Sequence, residues 1–237
     1  QADFTAVSIT GVSASNISSI NSVLAVLSAA ATDSRVEVQA IVETYVAILN
    51  AADGTANGTL SLSAASYQNI GLADITSSSQ ANLFSSILDS SDDGAVDTYS
   101  ELQVLANIVA RLSVTAAGGS PTPPITAAEL ALIGISGVTS SNLSSVLSTI
   151  AATADNGSGI DGLAKLQSVV DTGIANARAA SLTVISSYNG TNTIPTLADF
   201  ANIGVTGVTS GQIAAINSVI AVKPATDTDS QVEVQAV

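Results

Sequence analysis

The side chains with the most chemical reach in this chain are its carboxylates, and they gather in a few loops. The acidic positions before each long helical run are Asp33; Asp89, Asp92, Asp93 and Asp97; Asp155 and Asp161; Asp227 and Asp229. Calcium takes roughly six to eight oxygen ligands, so carboxylates alternating with glycine in a loop suit it. Ser91–Asp97 (SDDGAVD) and Asp155–Asp161 (DNGSGID) meet that requirement best, which makes Asp92, Asp93, Asp97, Asp155 and Asp161 candidate Ca2+ ligands. Neither stretch has the EF-hand spacing with its closing glutamate. The plainer reading is that these acids cap the helix that follows and complement its dipole. Asp53, Asn57 and Asn189 are further oxygen donors, in ADGTANG and YNGTN, but Asp-Gly and Asn-Gly are turn dipeptides first.

Catalysis has little to build on. The chain has no histidine and no cysteine, so Ser–His and Cys–His nucleophile pairs are absent, as are Cys- or His-based metal sites. Lys165 and Lys223 are the only lysines, and neither follows a serine at the Ser-x-x-Lys spacing. A carboxylate pair for glycoside hydrolysis can be drawn from the acidic loops, but four Tyr and three Phe leave little to line a sugar cleft. GISGV around Gly134 lacks the lysine of a phosphate loop. The expectation is a protein that is not an enzyme. Five Asn-x-Ser/Thr sequons, at Asn16, Asn57, Asn142, Asn156 and Asn189, carry little weight in a chain so rich in Ser and Thr.

The elements that hold these loops are helical. Short segments such as TAAELALIG from Thr126 and TLADFANIG from Thr196 open with a Thr and an acid three residues on, the capping-box spacing. Thr196 with Asp199 is the weaker of the two because Asp is shorter than Glu. Each short helix runs into glycine (Gly71, Gly134, Gly204), and a second turn residue follows: Gly11, Gly137 and Gly207, or Asp74, all suited to a left-handed backbone. A second helix is expected to begin at the Ser/Thr after that turn, with Thr209 and Gln212 forming a box. In SNLSSVLSTIAA, Leu143, Val146, Leu147 and Ile150 make one apolar face opposite serines. The longest helix opens with Ser34/Glu37, Thr98/Glu101 or Ser230/Glu233, again at box spacing. Its apolar stripe is Val38, Ile41, Val42, Tyr45, Val46 and Leu49 in one place, and it is expected over Leu163 to about Ser187 in another. Prolines 121, 123, 124 and 195 stop helices, and the extended pieces near Leu60 and Thr193 do not amount to a sheet.

These elements recur because the sequence recurs. Ala2–Ile41 returns as Ala198–Val237, with two looser copies between them, at a period of roughly 65 residues. Phe4, Tyr67, Leu130 and Phe200 open the copies in register, and Gln39, Gln103, Gln167 and Gln235 close the match inside apolar runs. The second copy departs from the others, with Asp74 for Gly and Gln80 at an apolar position. Such a period predicts modules that hide apolar surface against their neighbours. The expected fold class is all-α, a tandem array of three-helix repeats with Gly/Asp/Pro-rich connectors. The expected repeats cover residues 1–59, 60–124, 125–193 and an incomplete 194–237.

Composition limits the partners. Nineteen acids against five bases give a net charge of −14, which repels nucleic acid and anionic membrane and attracts cations. Mean hydropathy is high, at +0.48, yet the best candidate span, Val169–Ile185, is broken by Asp171 and Arg178, so no membrane span is expected. No signal peptide is visible. The chain reads as an excerpt, so self-association or continuation of a longer chain is expected to cover its open ends.

The phrases PTLADFANIGVTGVTSGQIAAINSVIA and ATDTDSQVEVQAV resemble the helical repeats of very large bacterial surface proteins, the adhesins and biofilm-matrix proteins of marine gamma-proteobacteria. The resemblance implies secretion, an extracellular or cell-surface location and a spacer or scaffold role. It implies no catalytic residue. Two alternatives stand beside that role: a filament subunit that polymerises end to end, and a module that presents loops to a glycan or a protein.

Overall fold

Among the described residues seven side-chain caps, six of them full capping boxes, set where helices begin. In the computed structural model, which describes residues 1–153 and 155–237, the described residues form twelve α-helices and no β-strand. They run α1 (Ala2–Ala6), α2 (Ile17–Leu24), α3 (Arg35–Ala51), α4 (Ala64–Asn69), α5 (Ser78–Asp89) and α6 (Tyr99–Ala116). Then follow α7 (Ala127–Leu132), α8 (Leu143–Ala151), α9 (Leu163–Ser186), α10 (Leu197–Asn202), α11 (Ile213–Ile220) and α12 (Gln231–Gln235). One-turn 3-10 segments at Ala29–Ala31, Asp93–Ala95, Ser158–Ile160 and Ala225–Asp227 precede α3, α6, α9 and α12.

All five capping boxes expected at α3, α6, α7, α10 and α12 close on both sides. The Asp199 box closes despite the shorter acid, with the Thr196 N–H donating to Asp199 Oδ2 at 2.8 Å. Each box satisfies two N–H groups that a helix start otherwise leaves open, worth about 1 kcal/mol per cap.

The second helices correct the expectation. Only α5 starts directly after its turn, with Ser77 and Gln80 forming a full box. Gln80 is therefore a buried cap and not a misfit at an apolar position. Elsewhere the helix starts later. Asn16 Oδ1 takes the Ser13 N–H at 2.8 Å and Asn16 Nδ2 donates to Gly11 O, and Asn142 does the same for Thr139 and Gly137. Gln212 accepts from the Thr209 N–H and hydroxyl, but α11 begins only at Ile213, so that pair closes a turn and not a box.

The turn residues divide in the same way. Gly11, Gly71, Gly134, Gly137, Gly204 and Gly207 have φ between +81° and +89°. Asp74 does not adopt the expected left-handed backbone; its carboxylate instead accepts from Gln103 Nε2 at 2.6 Å. Ser8, in register with Gly71, Gly134 and Gly204, is the one non-glycine at positive φ among the described residues, at +60°.

The chain divides into two compact units, Gln1–Ile135 with Thr153–Leu166, and Ser136–Ala152 with Gln167–Val237. The first unit buries Tyr45, Tyr67 and Phe84 completely, with Tyr67 and Phe84 meeting edge to face at 4.8 Å. Burying one such side chain contributes about 1.5–3 kcal/mol. The phenol oxygens stay paired: Tyr45 donates to Val96 O at 3.0 Å, and Tyr67 shares a 2.7 Å bond with Ser85 Oγ. On α3 the buried stripe includes Ile48, while Leu49 is only half-buried. The second unit centres on Ile185, Phe200, Ile203, Ile220 and Val234. There Gly173 of α9 lets α8 come close: a Cβ on Gly173 would lie 2.7 Å from Val146 Cα.

Candidate functional site

Of the candidate calcium ligands, Asp93 and Asp155 are engaged by their own loops and Asp161 by the helix that follows. Asp92 precedes the 3-10 turn at Asp93–Ala95, and its Oδ1 lies 2.6 Å from where a Cβ on Gly54 would stand. The Gly54 N–H donates to Ser91 O at 2.9 Å, so this loop is laid onto the Asp53–Gly54 turn. Asp93 Oδ1 accepts from the Gly94 N–H at 2.7 Å. Desolvation, then the charge and hydrogen bond of Glu101 and the charge of Asp93, push the Asp97 carboxyl above its ordinary value. In the other stretch, Asp155 Oδ1 accepts from the Gly157 N–H at 2.7 Å, and Oδ2 from the Gly159 N–H at 2.8 Å. Asp161 pairs with Lys165 Nζ at 2.6 Å, on a lysine whose side chain is largely exposed. Such surface pairs contribute little stability.

The acids therefore organise turns and helix starts. Among the described residues, no three His, Cys, Asp or Glu side chains come together in a group that could hold a metal ion. Asp53 and Asn189 accept from the N–H two residues on, at 2.9 and 3.0 Å, and Asn57 does so at 3.2 Å, which is turn chemistry. At the long-helix starts an acid stands four residues before a second charged group. Asp33 with Glu37, Asp97 with Glu101 and Asp229 with Glu233 are carboxyl pairs, and Asp161 with Lys165 is the cationic exception. The hydrogen bond and charge of Glu233 hold Asp229 above the usual carboxylate value, while the Ser230 hydroxyl holds Glu233 below it.

Sequence reasoning missed the most consequential acid. Asp89 is 3% exposed and ends α5. Its oxygens accept from the N–H groups of Gly58 (2.7 Å), Thr59 (2.9 Å) and Leu60 (3.3 Å), and from the Thr59 hydroxyl at 2.9 Å. Burial alone raises such a carboxyl; these donors outweigh it and hold Asp89 below its ordinary value. No local spacing signals this role, because the partners lie about thirty residues upstream.

The register glutamines have a shared task that the spacing also left unstated. Gln39 accepts from the Thr10 N–H at 2.9 Å and returns a bond to Thr10 O at 3.3 Å. Gln167 holds Ser136, and Gln235 holds Thr206, in the same two-way grip. Gln103 departs, bonding Asp74 and Tyr99. Two serines on second helices reach further along the first unit: Ser22 Oγ accepts from the Tyr99 N–H at 3.0 Å, and Ser86 Oγ from the Leu163 N–H at 3.1 Å. Each bond spans 77 residues and supplies a partner for the first N–H of a long helix.

The surface of the first unit carries two open grooves. One of 380 Å³ is lined by Leu27, Val36, Glu37, Ile41 and Gln68. Its carboxylate is held in a capping box. The other, of 390 Å³, is lined by Val104, Asn107, Arg111, Pro123 and Glu129. Arg111 is 8% exposed there, and its guanidinium is taken by Glu129, by the Pro123 and Pro124 carbonyls and by Asn107 Oδ1. Neither groove brings together an activated nucleophile and a proton carrier. No family model, no curated protein and no solved structure matches this chain.

Proposed function

We propose that this chain is a structural protein: a row of helical modules, each of roughly 65 residues, working outside the cell as a spacer or scaffold. The observation that carries the reading is the pair of serine bonds. Ser22 to Tyr99 and Ser86 to Leu163 each run from a second helix to the first N–H of a later long helix, across the same separation of 77 residues, with Ser86 one position past Ser85, the register mate of Ser22. A like bond between the same pair of element types supports stacking of like units. The order of short helix, second helix, 3-10 turn and long helix supports it. So do the glutamine grips at Thr10, Ser136 and Thr206. The likeness to large surface proteins supports the location, and the cysteine-free composition is compatible with it.

In this reading the acidic turns serve the architecture, and no reaction is catalysed. Single-molecule stretching of the full chain tests it. A row of modules releases its length in several steps, because each unit fails against its neighbours. One rupture that releases the whole chain at once overturns the reading.

A further inference from the structure

Three Asn-Gly pairs occur in the chain: Asn57–Gly58, Asn156–Gly157 and Asn189–Gly190. This dipeptide can modify itself. The glycine nitrogen attacks the asparagine Cγ, a C–N bond forms, and the side-chain nitrogen leaves as ammonia. The N–H proton passes to solvent, and the departing side-chain nitrogen takes one up from solvent to leave as neutral ammonia. Water then opens the resulting five-membered imide to aspartate or to its iso form. The step needs a glycine N–H free to give up its proton, an oxygen that can hold developing negative charge, and an open path for ammonia.

The fold treats the three pairs differently. The Gly58 N–H is bound to Asp89 Oδ2 at 2.7 Å, and the Gly157 N–H to Asp155 Oδ1 at 2.7 Å. A carboxylate holding that proton opposes its loss, since the amide would become an anion beside an anion. Asn57 is also tied by its amide, which donates to Asp53 Oδ2 at 3.4 Å. At the third pair the Gly190 N–H has no acceptor, and both Asn189 and Gly190 are exposed. Asn189 Oδ1 accepts from the Thr191 N–H at 3.0 Å and the Thr191 hydroxyl at 2.8 Å. Two donors on the oxygen where charge develops are the arrangement that favours attack at the adjacent carbon.

We propose that Asn189 is a self-modification site, and that Asp89 and Asp155 guard the other two pairs against the same chemistry. The conversion adds a negative charge to the loop between α9 and α10, on a chain that already carries −14.

The test is timed incubation of the full chain in warm, mildly alkaline buffer, followed by peptide mapping. In the folded chain Asn189 converts at least about tenfold faster than Asn57 and Asn156, a barrier difference of about 1.4 kcal/mol. In concentrated urea all three convert at similar rates, because the guards are gone. Equal rates in the folded chain, or the same ranking with and without urea, overturn the proposal.

Discussion

At the scale of single residues, two positions carry more than their type suggests. Ser8 occupies a left-handed backbone where three register mates are glycine. A left-handed L-residue costs about 1–2 kcal/mol, while glycine carries its own entropy penalty of about 0.5–1 kcal/mol. Ser8→Gly is therefore expected to stabilise the chain by about 0.5–1 kcal/mol, read as a higher urea midpoint with an unchanged slope. A lower midpoint would show that the Ser8 side chain matters more than its backbone. Asp89 offers the opposite case. Asp89→Asn keeps an acceptor but turns an NH2 toward donors, so it should destabilise by about 2 kcal/mol at neutral pH. The folded-state pKa of Asp89 is depressed. Its contribution is thus present above the unfolded value, near 3.9, and fades as pH falls toward the folded one. Asp97 and Asp229 are raised and act in the reverse sense. The clean observable is the difference between wild type and Asp89→Asn, which should shrink on acidification; a constant gap would refute the ionised role of Asp89.

At the scale of elements, helix α9 sets propensity against packing. Gly173 lies in its interior, where alanine would ordinarily gain about 1 kcal/mol. Here an added Cβ meets Val146 Cα at 2.7 Å and Val146 N at 3.2 Å, both backbone atoms of α8. Overpacking of that kind costs about 1–3 kcal/mol, and the contact also displaces the Ser145 hydroxyl from Gly173 O, where it sits at 2.8 Å. Gly173→Ala is expected to lower the melting midpoint despite its better helix propensity. Thermal unfolding by circular dichroism decides the matter, and an unchanged or raised midpoint would mean that α8 yields. Five helix starts, by contrast, were legible in advance. Ser34, Thr98, Thr126, Thr196 and Ser230 each find their acid three residues later, whatever the rest of the chain does.

At the scale of the whole molecule, net charge works against the fold. A net charge of −14 on a chain with only five bases opposes compaction. Sodium chloride at about 0.15 M shortens the screening length to about 8 Å and should raise the melting midpoint. Calcium chloride at the same ionic strength should raise it to the same extent, because Asp93, Asp155 and Asp161 are held by their own turns and partners and no group of three acids comes together among the described residues. A jump at low calcium, reversed by chelator, would restore a specific ion site, since a ligand selective for the folded state must raise the midpoint.

The amino-acid sequence by itself determined the all-helical class, the caps and most of the turn glycines. These rest on hydrogen bonds that close within three or four residues, so spacing alone reveals them. Tertiary structure decided which polar side chains go inside and what they hold. Asp89 finds its donors some thirty residues away, Gln39 its backbone partner 29 away and Ser22 its N–H 77 away. It also decided that Asp74 would bond Gln103 and keep an ordinary backbone. Such partners depend on how chain segments come together, and that is fixed by packing around Tyr45, Tyr67, Phe84 and Phe200, not by any spacing along the chain.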